Sequence, residues 1–262
     1  MRSKSIRQSI IVLNISFLVL LCACPISTGS SEKPSQTRCT TLTLRLPRYK
    51  VAANKPIALT GDVGGAKEIL GTERAKLLGF KWTVSQAVII SGQGTPKILV
   101  GVAKSVAKTV QDVSVDLEVT GVPPECAHRV AGNLTIDSNC LAPIRFNEYG
   151  KVSVEEESAQ LERLVDRLKN EPKYVAYIVI YAGRKSCLSE ADWRANRIRR
   201  YLVDQKAIPK NRVEIIDGGF QDELTTELYL SPCNGCGPLP VSRLMFDDVE
   251  LGPPCGFEER SP

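Results

Sequence analysis

The chain has 262 residues, 43% of them hydrophobic and 24% charged, a globular balance that allows one large domain or two small ones. Its 34 basic and 29 acidic side chains leave +5, and three of those positives (Arg2, Lys4, Arg7) precede an apolar run, so the remainder carries +2. No nucleic-acid partner is expected, because that needs a clustered excess of Lys and Arg. The single histidine, His128, excludes any mechanism or metal site that needs two.

The N-terminus has the order of an export signal. Behind the basic residues, Ile10–Leu21 is apolar apart from Asn14 and Ser16. Twelve residues fall short of the roughly 20 that span a bilayer as a helix, so residues 1–23 read as a signal peptide. The run ends in Leu21-Cys22-Ala23-Cys24, which resembles the lipobox of bacterial lipoproteins. That resemblance implies lipid on Cys24 and a membrane anchor; ordinary cleavage between Ser27 and Ser31 is the alternative. Residues 24–37 then read as a flexible tether.

Seven cysteines follow, and an exported location favours disulfides over zinc or redox roles. An odd number leaves at least one thiol free or shared with another chain. Cys233-Asn-Gly-Cys236 has redox-motif spacing, but Pro232, Gly235, Gly237 and Pro238 forbid the helix that would activate the first thiol. No second close pair completes a zinc site. Cys233 and Cys236 are therefore expected in loop disulfides.

Residues 38–141 read as β throughout. Thr41–Leu46, Pro56–Thr60, Phe80–Val84, Lys97–Val102, Val113–Val119 and Gly132–Ile136 are short segments, several in strict alternation, with turn residues between them. That pattern predicts an antiparallel sandwich. Glu68–Leu78 reads as a loop with a short helix at most. Lys81-Trp82-Thr83-Val84-Ser85, Ser91-Gly92-Gln93-Gly94-Thr95 and Gly121-Val122-Pro123-Pro124-Glu125-Cys126 together resemble the PKD and related immunoglobulin-like domains of bacterial surface proteins. The resemblance implies Trp82 as a plug between two sheets, and a bridge between Cys39 and Cys126.

Beyond Pro143 the period changes. Ile144–Asn147 is a short strand, and Ser153-Val154-Glu155-Glu156 is a capping box opening a helix with Leu161, Leu164, Val165 and Leu168 on one face. Val175–Tyr181 is a covered strand. Ser189 with Asp192 opens a second helix, with Ala191, Ala195, Ile198 and Leu202 on its buried stripe. Val213–Ile216 and Leu224–Leu230 complete a β-α-β-α-β-β order, an α/β sandwich over residues 142–231. Residues 232–262 read as an irregular Cys/Pro/Gly-rich tail tied by disulfides.

This second domain resembles the OmpA-like peptidoglycan-binding domain. The likeness runs through Phe146-Asn147, Tyr177–Ile180, Leu188-Ser189-Glu190, Arg194-Ala195-Asn196, Tyr201-Leu202 and Ala207-Ile208-Pro209. It implies that Arg194 receives the carboxylate of diaminopimelate in cell-wall peptide. The acid that should accompany it after the second strand is missing: Tyr181-Ala182-Gly183-Arg184 puts a cation there. Asp192 could substitute, but fits helix capping equally well. Arg184, Lys185, Arg194 and Arg197 could instead form an anion-binding patch, or Arg194 and Arg197 a solvated helix face.

Catalysis is not expected. His128 sits in a loop; Glu155, Glu156 and Glu157 suit a helix N-terminus, where negative charge is favoured; and Asp217, Asp222 and Glu223 lack the spacing of calcium ligands. No cofactor or metal is implied. The expectation is a non-enzymatic, lipid-anchored envelope protein, structural or binding, with a degenerate OmpA-like domain. A working peptidoglycan anchor and a module that assembles with another envelope protein are the alternatives.

Overall fold

The computed structural model describes residues 38–53, 56–102 and 111–255, so Cys24 and the segments expected to be a signal peptide and a tether lie outside the described residues. The alternating segments of the first half become β1 (Thr41–Arg45), β2 (Val51–Ala52), β3 (Ile57–Gly64), β4 (Gly79–Val84), β5 (Val88–Ser91), β6 (Lys97–Gly101), β7 (Gln111–Thr120) and β8 (Arg129–Asp137). Two short helices, α1 (Ala66–Leu70) and α2 (Thr72–Ala75), lie between β3 and β4, separated by Gly71 with φ +83°. The strands form two four-stranded sheets, ordered β1-β3-β6-β5 and β2-β8-β7-β4.

The sheets bury their apolar faces in one cluster. Ile57, Leu59, Ile98 and Val100 from the first sheet meet Trp82, Val115, Leu117 and Leu134 from the second. Trp82 is the expected plug, 2% exposed, with its indole N–H donating to the Thr95 carbonyl at 2.9 Å. The ring needs a glycine opposite it: a Cβ on Gly61 would stand 3.2 Å from the indole and 2.1 Å from a Leu117 methyl. β5 was not visible in the sequence. It is an edge strand with exposed Val88 and Ile90, so it lacks the half-buried alternation that marks its neighbours.

The second half contains β9 (Ile144–Tyr149), α3 (Val154–Asn170), β10 (Tyr174–Ala182), β11 (Cys187–Leu188), α4 (Glu190–Arg199), β12 (Val213–Phe220) and β13 (Thr225–Pro232). The order β12-β10-β13-β9 joins one parallel pair, β10 with β12, to antiparallel neighbours. α3 starts as the sequence predicts: the Ser153 hydroxyl accepts the Glu156 N–H, and the Glu156 carboxylate accepts the Ser153 N–H. Its stripe packs with Ile198 and Leu202 on Ile178, Ile180 and Leu228. α4 starts differently. Ser189 adopts φ +67° and makes no capping bond, because a cap needs extended backbone to aim its oxygen at the first-turn amides. α4 passes into a single π-helical turn, Arg200–Gln205.

The tail is irregular for most of its length, yet it ties the two halves together. Gly237 N–H donates to the Lys50 carbonyl at 2.9 Å, Tyr49 hydroxyl to the Pro238 carbonyl at 2.6 Å, and Phe246 N–H to Asp62 at 2.9 Å. Lys97 reaches the Ser242 carbonyl at 3.0 Å. Within its described residues a short strand, β14 (Gly252–Pro254), pairs with β11.

Three disulfides reinforce this plan. Cys39–Cys126 is present as the resemblance implied, with Cα atoms 5.3 Å apart. Cys140–Cys236 fastens the link between β8 and β9 to the tail, and Cys187–Cys255 fastens β11 to β14. Cys233 corrects the expectation of a loop disulfide: it is exposed and free, because its neighbour Cys236 is committed to Cys140. The bonds place the chain in an oxidising, non-cytoplasmic compartment. No helix among the described residues is long and apolar enough to cross a membrane.

Candidate functional site

α3 and α4 each carry one ion on the stripe that faces the sheet. Glu157 lies four and seven residues before Leu161 and Leu164, and Arg194 lies between Ala191 and Ile198, so helical phase turns both inward. They meet there, Glu157 2% and Arg194 3% exposed, with Arg194 Nε 3.3 Å from Glu157 Oε1. The other face of the guanidinium donates through Nη1 to the Gly150 carbonyl and to Thr226 Oγ1, both at 3.0 Å, and the group sits 5.7 Å from the Tyr149 ring centre. Arg197 completes a triad, its Nε 2.6 Å from Glu157 Oε2, while its guanidinium stacks on exposed Trp193 at 4.5 Å. Burial pulls the Arg194 pKa down and the Glu157 carboxylate pulls it back up; arginine remains cationic under such opposition.

The expected ligand-binding cations therefore separate. Arg194 and Arg197 converge on one internal carboxylate, and Arg194 presents almost no surface, so neither the anion-binding patch nor the wholly solvated helix face describes it. Arg184 is held elsewhere, its Nη2 2.9 Å from Asp222 and its Nη1 3.1 Å from the Asp248 carbonyl. Asp192 stays exposed. By residue type Glu157 belongs with Glu155 and Glu156 in the first turn of α3, yet it is buried. Its phase with Leu161 and Leu164 was the available signal.

A second candidate is a cleft of about 580 Å³ where the halves meet. Its walls are Thr43–Arg45 of β1 and the residues after it, Val130–Asn133 of β8, Glu214–Gly218 of β12, and parts of β3 and of the tail. Arg45 crosses it to Asp217, and Tyr49 closes one end, packed edge-on against Tyr177 at 5.1 Å. Burial raises the Tyr49 pKa strongly, so its hydroxyl stays protonated as a donor. With this geometry in view, comparison with protein families, curated proteins and solved structures gives no match to the chain.

Proposed function

We propose that this is an exported, lipid-anchored envelope protein of structural or binding type, without catalytic function, whose OmpA-like arginine position is filled from within. The carrying observation is the Glu157 carboxylate lying against Arg194 in a space closed to solvent. A cell-wall carboxylate would have to displace an internal one that is already desolvated and shared by two arginines. The residue that the resemblance would have as an acid for the ligand's ammonium group is Arg184, which is itself paired with Asp222. Charge-assisted recognition of a zwitterion needs both halves, and the unpaired half costs several kcal/mol.

The test is co-sedimentation of the full exported chain with purified peptidoglycan. Wild type is expected to stay in the supernatant. Sedimentation of wild type that Arg194→Ala abolishes would overturn the reading in favour of a working anchor. Mass spectrometry of the mature N-terminus tests the anchor separately: a diacyl or triacyl Cys24 supports it, and an unmodified terminus at or beyond Pro25 refutes it.

A further inference from the structure

We infer that the cleft between the two halves is a receptor for one extended polypeptide segment of a partner protein, held mainly by backbone hydrogen bonds. The argument starts from strand pairing. Among the described residues β1 pairs only with β3, so its other edge is open; the outer edge of β12, away from β10, is bridged only at Phe220, by Leu244 of the tail; and β8 has β2 beside it only at Ile136 and Asp137. The free stretches of all three strands line the same cleft. Open edges present rows of amide and carbonyl groups that water satisfies in the free protein and a further strand can satisfy on binding.

The cleft's size selects the occupant. At about 3.3 Å rise, 4.8 Å strand spacing and 10 Å layer spacing, a strand residue takes about 160 Å³, so the space holds about four. That admits one strand and excludes a second sheet, which separates this site from the edge-to-edge stacking that open edges otherwise invite. The charges indicate what the segment carries. Arg45 and Asp217 neutralise each other across the gap, so its middle offers no net charge and suits uncharged residues. Arg48 and Glu214 also line the cleft and make no ion pair among the described residues, leaving one cation and one anion for charged flanks. Thr43, Ala131 and Asn133 are exposed on the walls, so entry needs no unfolding. This inference is independent of whether Arg194 is sealed.

The probe is the capped hexapeptide Thr-Val-Thr-Val-Thr-Val, added to the full exported chain with its disulfides intact, and the readout is amide hydrogen exchange. Exchange within Thr43–Arg45 and Glu214–Asp217 is expected to slow by about tenfold at saturation. The same peptide methylated on alternate amide nitrogens keeps its side chains, loses half its donors, and is expected to give no protection. Thr43→Trp fills the cleft from an exposed position and should remove the effect, with Ala131→Trp replacing it if the first variant fails to fold. Unchanged exchange with the hexapeptide, or equal protection by its methylated form, would overturn the inference.

Discussion

Glu157 and Arg194 reach one closed space from two different helices, and each is the other's replacement for water. Taking two ions out of water is costly, and the pair holds only while both are present. Glu157→Ala leaves two arginines, one of them buried, without the carboxylate they share. It is expected to lose about 3–5 kcal/mol of unfolding free energy in urea titration. The double change Glu157→Leu with Arg194→Met removes both ions and should be closer to wild type than Glu157→Ala. A double variant as unstable as the single one would show that the pair is not what holds α3 and α4 in place.

Asp62 gives a pH-dependent prediction. Burial raises its pKa above the ordinary carboxylate value, against the Phe246 and Val63 amides and Arg45, which lower it, and with Asp247, which raises it further. The folded chain therefore binds this proton more tightly than the unfolded one, so the group's contribution becomes less favourable as pH rises from the ordinary carboxylate value through the folded one. Asp62→Asn keeps an oxygen for the Phe246 N–H. Its stability relative to wild type should increase from pH 3 to pH 7, and a difference that is flat or falls with pH would refute the assignment.

Among the cysteines from Cys39 onward, Cys233 alone should react with iodoacetamide in the native state, because it is exposed and the other six are paired. Non-reducing peptide mapping should return the three bridges. Removing Cys39–Cys126, which spans 87 residues, should cost on the order of 4 kcal/mol in the chain-entropy account.

Gly61→Ala tests the seat of Trp82. The new methyl overlaps Leu117 and crowds the indole in a filled core, where such insertions cost about 1–3 kcal/mol. A neutral result would mean that the two sheets shift apart freely at this point.

What could be read from the sequence is what repeats locally. The α3 capping box, the Leu161–Leu168 stripe and the alternation of β7 each lie within a few residues and appear as expected. Glu157 and Arg194 had the right phase to be core positions, but their charge argued for the surface, and only the arrival of each beside the other makes burial tolerable. Ser189 has the residue type of a cap and a backbone angle that forbids it, which no spacing announces. The cleft was invisible for a different reason: Thr43, Ala131 and Glu214 lie far apart in the chain, and an unpaired edge is defined by strands that do not arrive.

The disulfides do not all link neighbours in the chain. Cys39 and Cys126 are successive, whereas Cys140–Cys236 and Cys187–Cys255 interleave. Oxidation in the order of emergence from a translocation pore would close the first bridge correctly and then join Cys140 to Cys187, a wrong pair. From there the native set is reached only by thiol–disulfide exchange. Maturation of this chain by that route thus depends on an activity that reshuffles bonds as well as one that forms them.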